Sequence, residues 1–182
     1  KEKFPTDWQE IIHFDNSGEK HVADVKTKNG WVIEFQHSYL TPEERRARNA
    51  FYHKLIWVVD GTRRKRDVDQ FVKTLKKGRT LPSKSPVFRV FTGECSLLRE
   101  WVDGHVPVFF DFFDERVLWY LLYGYSQGSA YVAQIPREYF IEVHTGGMTQ
   151  KATNFDKFVK DISGLVRNYE SFLRAQAVKK LK

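Results

Sequence analysis

Disulfide chemistry is the first thing this chain lacks. Cys95 is its single cysteine, so neither an intrachain disulfide nor an all-cysteine metal site can form. That usage suits a reducing compartment, and a cytoplasmic protein is expected. No apolar run approaches the ~18 residues a membrane helix requires, and nothing at the N-terminus resembles a signal peptide. No membrane partner is therefore expected. The six histidines include no His-x3-His pair, which argues against zinc. Internal repeats and low-complexity segments are also missing. Acid is in deficit, with 23 Asp and Glu against 30 Lys and Arg and a net charge of +7. A surplus of that sign favours an anionic partner, nucleic acid being the commonest; ribosome-associated and membrane-surface proteins share the profile.

What remains is the material of a globular domain. Hydrophobic residues make up 41% of the chain and aromatics 15%. A chain of 182 residues buries roughly 70% of its unfolded surface and needs no staples. It opens on Lys1 rather than methionine, as a fragment or processed product would.

Pattern divides the chain near 76–86, KKGRTLPSKSP, a loop rich in Gly, Pro, Ser and Lys. Before it, strands are expected over 9–14, 21–27 and 31–37, with a turn at Asp15-Asn16-Ser17-Gly18. Thr41-Pro42-Glu43-Glu44 starts a helix that runs to about Lys54: Thr41 is the N-cap, Pro42 the first helical residue, and Glu44 closes a capping box. Ala47, Ala50, Phe51 and Leu55 would form its buried face. Leu55 to Val59 is a continuous apolar run, as in a strand covered on both faces, and after a helical crossover it should lie parallel to an earlier strand. A short helix over 67–76 follows. Beyond the loop, strands are expected over 87–91, 105–112, 117–123 and 130–135. A helix from Pro136 is stopped by Gly146-Gly147, and a long amphipathic helix spans 154–181 with a kink allowed at Gly164.

The segment ADVKTKNGWVIEFQHS, residues 23–38, carries three polar groups in a hairpin. A two-residue Asn29-Gly30 loop would send Asp24 and Glu34 to opposite faces. A three-residue loop, Lys28-Asn29-Gly30 with Gly30 left-handed, pairs Thr27 with Trp31 and sets Asp24 opposite Glu34. Parity selects the longer loop. One face then holds Ala23, Val25, Thr27, Trp31, Ile33 and Phe35; the other holds Val22, Asp24, Lys26, Val32, Glu34 and Gln36. Facing carboxylates about 4.5–5.5 Å apart at Cβ repel unless a cation lies between them. Oxygen ligands suit Mg2+ or Mn2+. Gln36, on the same face, could orient a water. A simply solvated face neutralised by Lys26 is the other reading.

Asp24, ten residues, then Glu34-x-Gln36 resembles the PD-(D/E)XK nuclease superfamily, with Gln where Lys is usual. The surrounding text, an ADV strand, an IEFQ-S strand and a helix with Glu44, Arg45, Arg48 and Tyr52, is similar to the nuclease-like domain of the competence protein CoiA family. The match covers roughly residues 18–67. The resemblance implies an α/β fold with a restriction-endonuclease-like core, a mixed sheet in the order strand, strand, strand, helix, strand; the pattern beyond it adds an appended β-rich portion and a long C-terminal helix. The core would occupy 1–78 with its N-terminal helix truncated, and 79–182 would pack on the same domain. It further implies a Mg2+- or Mn2+-dependent deoxyribonuclease with Asp24 and Glu34 as ligands and Gln36 as the third catalytic residue, acting in DNA uptake, recombination or defence. A DNA-binding module with a degenerate, inactive site is the alternative, because glutamine offers dipoles where lysine offers charge.

Substrate contacts are expected from Lys26, Arg45, Arg48 and Tyr52. Arg45, Arg48 and Tyr52 share a helix face, and a solvated cationic face pairing with Glu43 and Glu44 is the competing reading. The run Arg63-Arg64-Lys65-Arg66 would touch phosphates or simply keep a loop soluble. His37 falls on the apolar side by parity. The aromatics around Phe109, Phe110, Phe112, Phe113, Trp119, Tyr120 and Tyr123 are expected in the core rather than in base stacking. The long C-terminal helix could pair two copies as a homodimer.

Overall fold

Five consecutive apolar residues, Leu55 to Val59, decide where the centre of the sheet lies. In the computed structural model, which describes residues 1–14, 18, 20–82, 85–122, 128–146 and 155–180, this run forms a strand with neighbours on both sides. The first half contains β1 (Gln9–Phe14), β2 (Lys20–Lys26), β3 (Val32–Gln36), α1 (Pro42–Phe51), β4 (Leu55–Asp60) and α2 (Lys65–Lys77). The second contains β5 (Arg79–Thr80), β6 (Val87–Phe91), α3 (Ser96–Trp101), β7 (Val108–Asp111), β8 (Val117–Leu122), β9 (Ser129–Pro136), α4 (Arg137–Thr145) and α5 (Phe155–Lys180). Among the described residues, nine strands join one mixed sheet in the order β1-β2-β3-β4-β7-β8-β9-β6-β5. β4 runs parallel to β3 and to β7; the other neighbours are antiparallel. The parallel β3–β4 pair is the expected result of the α1 crossover.

Alternation along β4 splits the core into two layers. Ile56 and Val58 face a cluster with Phe109, Tyr120, Phe140, Phe155, Phe158, Ile162 and Val166, which places α4 and α5 on that side. Leu55, Trp57 and Val59 face a cluster with Tyr52, Phe71, Leu97, Leu98 and Trp101, the side of α1, α2 and α3. The second-half aromatics Phe109, Phe110 and Tyr120 are fully buried, as expected, whereas Phe113 is exposed with a left-handed backbone. Tyr123, Asp15 to Ser17 and Gly147 lie outside the described residues.

Several expected boundaries move. The Gly- and Pro-rich loop contains the edge strand β5. The strand expected from His105 starts at Val108, after Gly104 to Pro107. α3 had no counterpart in the pattern, because six residues give too little periodicity to register. α5 passes through Gly164 without interruption.

The largest correction concerns α1. Its capping box is present: the Glu44 N–H donates to Thr41 Oγ1, and the Thr41 N–H donates to Glu44 Oε2. Ala47 and Ala50, assigned to the buried face, are exposed instead, while Arg45, Arg48 and Asn49 turn toward the sheet. The surface awaiting the helix explains this. It offers Glu34, the Trp57 indole N–H and the Trp101 ring, partners that guanidinium and amide groups meet and alanine cannot.

His144 on α4 is buried against Phe140 and Phe155, and its Nε2 has no hydrogen-bond partner. Burial alone pushes it down to about 3 from an ordinary 6.5. The folded state therefore holds the neutral ring, and the stability this gives is present above pH 6.5 and lost as pH falls toward 3. By pH 4 the loss should be on the order of 3 kcal/mol. We expect His144→Phe to flatten the acid limb of a urea-denaturation series between pH 6.5 and 4; an unchanged limb would remove His144 from the account.

Candidate active site

The hairpin turn sets the site. The Thr27 N–H donates to the Trp31 carbonyl at 2.8 Å, the Gly30 N–H returns to the Thr27 carbonyl at 2.9 Å, and Gly30 has φ of 79°. Trp31 N–H also donates to Thr27 Oγ1 at 3.0 Å. This is the three-residue loop that parity required. Val25 pairs with Ile33 and Lys26 with Val32, so Asp24 stands across from Glu34.

Beyond Val25 the two strands stop exchanging backbone bonds. The Phe35 N–H donates at 2.8 Å to Asp24 Oδ2 instead. A carboxylate has taken the role of a carbonyl, and strand alternation breaks there. Ala23 packs in the α1-side cluster, but Val25, two residues on, packs in the opposite one. The single apolar face expected from Ala23 to Phe35 therefore divides at Asp24. The other face is not wet either: Val32, Glu34 and Gln36 are all buried, beneath α1.

Glu34 is the most constrained of these groups. It is 3% exposed. Arg48 Nη1 donates to its Oε2 at 2.7 Å, and its Oε1 has no hydrogen-bond partner. Burial is the main cause that pushes its carboxyl up to about 7; the negative charge of Asp24 adds to this, and Arg48 opposes it. Lys26 is not its neutralising partner, as the solvated-face reading would have it. Gln36 Nε2 donates to the Ser38 carbonyl at 2.8 Å and reaches Ser38 Oγ at 3.3 Å, which fixes the amide and leaves its Oε1 as the end available to accept.

The three α1 residues separate. Arg48 joins Glu34 directly. Arg45 donates to the Glu100 carbonyl and lies 4.8 Å from the centre of the Trp101 ring, so its guanidinium is committed to the fold. Tyr52, which ends α1, is 7% exposed. Its hydroxyl has no partner and is pushed up to about 12, mainly by burial and then by the charge of Glu34. Asn49 Oδ1 accepts from Trp57 Nε1 at 2.9 Å. His37, expected among apolar neighbours, lies exposed, 3.7 Å from Asp60, because β3 has ended one residue earlier.

Two residues near the site were not anticipated. Gln9 pairs with Val25 and Ile11 with Ala23, so Glu10 stands across from Asp24 on its other side. Its backbone is left-handed, with φ of 55°. The Lys1 ammonium bonds Glu10 and lies 3.8 Å from Asp24 Oδ1. The signal was available: with β1 and β2 antiparallel, that pairing is fixed once Ile11 is set against Ala23.

The run 63–66 is also partly internal. Arg64 Nε donates to the fully buried Asp67 at 2.7 Å and its Nη2 to Glu100 at 3.0 Å, while Arg63 lies over the Tyr39 ring. Lys65 and Arg66 are exposed. Among the described residues, no group of three or more His, Cys, Asp or Glu side chains converges on a common point, and no helix is long and apolar enough to cross a membrane. Comparison with family models, with curated proteins and with solved structures gives no match to this chain.

Proposed function

We propose that the protein is a metal-dependent nuclease that hydrolyses DNA phosphodiester bonds at the Asp24–Glu34 hairpin. The observation that carries the reading is Glu34: a buried carboxylate with one oxygen unpartnered, held across a strand gap from a second carboxylate. Folding gains nothing from that arrangement, because an unsatisfied buried oxygen and a like-charged neighbour both cost free energy. A divalent cation would satisfy the spare oxygen and cancel the repulsion. The donor set, carboxylates without thiol or imidazole, fits Mg2+ or Mn2+.

Asp24 and Glu34 would hold the ion, which when bound supplies Lewis-acid stabilisation of a phosphoryl oxygen and a more acidic water. The chain's own residues do the rest. Asp24 is aimed by the bond from Phe35, and Glu34 by Arg48. Gln36, anchored on Ser38, presents its carbonyl oxygen to orient a water. Arg48, half exposed at its side chain, can share its charge with a phosphate. Lys26 extends the positive surface from the same hairpin. The resemblance to the CoiA family adds a setting: DNA handling during uptake, recombination or defence.

One observation favours a second reading. The Arg48 guanidinium already sits 2.7 Å from Glu34, where it can serve as a permanent counter-ion, and the protein would then be a DNA-binding module without catalysis. Labelled single-stranded, duplex and branched DNA incubated with Mg2+ or Mn2+ separates the two. Cleavage that falls by at least about 100-fold in both Asp24→Ala and Glu34→Ala is the expected result, the size of effect seen when one transition-state stabiliser is removed. Cleavage that survives both substitutions rejects the site. Binding without metal-dependent cleavage supports the module.

A further inference from the structure

A cleft of about 420 Å³ opens beside the hairpin, between the end of β1, the hairpin tip and the C-terminus of α1. Its size lies within the range of small-ligand sites. Phe14, Phe51, Tyr52 and His13 are among its lining residues, and Lys26 and Lys54 supply charge. Among the described residues, no carboxylate lines it. Phe14 is 68% exposed, an arrangement that folding does not reward. The Tyr52 hydroxyl and His13 Nε2 are both buried and without hydrogen-bond partners. Their rings meet edge to face, with centroids 5.4 Å apart. Lys54 is 3.4 Å from Asp156, whereas Lys26 is exposed.

The chemistry these groups share is a flat aromatic ring joined to an anion. We infer that the cleft binds one unpaired nucleotide of a nucleic-acid strand, its base against Phe14 and Phe51 and its phosphate toward Lys26. The inference extends the nuclease reading above and specifies its substrate. A paired base has both faces covered by its neighbours, so rings at a cleft mouth can stack only on a base released from the duplex. A few hundred cubic ångströms admit a nucleotide and exclude a double helix. Tyr52 links cleft and carboxylates: it lines the one, and its hydroxyl senses the charge of the other. A strand seated here would run past Asp24 and Glu34. The preferred substrate is then single-stranded or carries an unpaired flap, rather than plain duplex.

Fluorescence anisotropy in EDTA, with the Asp24→Asn protein and labelled 12-mers, tests this without requiring cleavage. Four probes are compared: single-stranded DNA, single-stranded RNA, blunt duplex DNA, and the DNA strand with abasic sites. Single strands should bind at least ten-fold tighter than duplex, with the DNA and RNA probes showing which sugar is preferred. Phe14→Ala should weaken single-strand binding by about ten-fold, the scale of one lost base stack. It should leave duplex binding unchanged and add nothing to the effect of abasic sites. Lys26→Ala should weaken single-strand binding and reduce its salt dependence. Both side chains are exposed, so neither substitution threatens the fold. Duplex binding as tight as single-strand binding, or a Phe14→Ala protein indistinguishable from its parent, overturns the inference. Because no metal is present, neither outcome bears on whether the carboxylates cleave.

Discussion

Glu34→Gln should make the protein more stable and, at the same time, abolish the metal-dependent cleavage proposed for it. The two effects share one cause. Burial and Asp24 push the Glu34 carboxyl up from 4.5 to about 7, so the folded state favours the protonated form. The stability tied to that proton is fully present below pH 4.5 and is lost as pH rises through 7. Glutamine keeps an oxygen for Arg48 but carries no charge for Asp24 to repel. The gain should therefore be near zero at pH 4.5, grow through neutrality, and level off above pH 7 at on the order of 1–3 kcal/mol. Urea denaturation in EDTA at pH 5 and pH 8 measures it. Adding Mn2+ at pH 8 should narrow the gap, because an ion that binds only the ionised wild-type pair stabilises that protein alone. A glutamine variant less stable than wild type at pH 8 in EDTA would remove the claim that Glu34 is kept against the interest of the fold.

The second large effect lies away from the site. Arg64→Met should destabilise by about 3–5 kcal/mol, the cost of leaving a buried charge without its partner. Asp67 is fully buried at the start of α2, one oxygen bonded to Arg64 and the other without a hydrogen-bond partner. Arg64 also reaches Glu100 at 3.0 Å, which ties the segment after β4 to α3. In a domain this size each kcal/mol is worth roughly 2–4 °C, so the melting temperature should fall by about 10 °C. Replacing both partners, Arg64→Met with Asp67→Leu, should recover most of the loss, because two apolar groups leave nothing unpaired. Lys65→Ala and Arg66→Ala should each change stability by less than about 0.5 kcal/mol. A double variant as unstable as Arg64→Met alone would show that packing, and not the stranded charge, sets the cost.

These residues also mark what the sequence could reveal. The hairpin register was legible because period-two alternation leaves one loop length that keeps Val25, Ile33 and Phe35 on a common face. The buried central strand was legible from Leu55 to Val59, and the start of α1 from Thr41 and Glu44. The inward face of α1 was not. A polar face reads as wet unless its partners are known, and those partners, Glu34, Trp57 and Trp101, come from distant parts of the chain. Arg64 misled for the same reason: four cations in a row look like a surface until Asp67 and Glu100 are in place. The break at Asp24 escaped because alternation assumes backbone pairing, and there a side chain replaces it. Strand order in the second half was hidden as well. Nothing local says that β6 will lie beyond β9 and not beside β7.

That strand order bears on how the protein is made. β4 meets β3 across a single helix, but its other edge waits for β7, since Trp57 pairs with Val108 and Val59 with Phe110. During synthesis the first half can collapse while Leu55 to Val59 still offers a bare row of amides and carbonyls flanked by apolar side chains. Such an edge recruits any neighbouring strand it meets. The intervening turn, helices and β6 must leave the ribosome before Val108–Asp111 can cover it. Completion of the sheet is therefore slow and nonlocal, and a nascent chain halted near Gly78 would have its most adhesive strand unprotected.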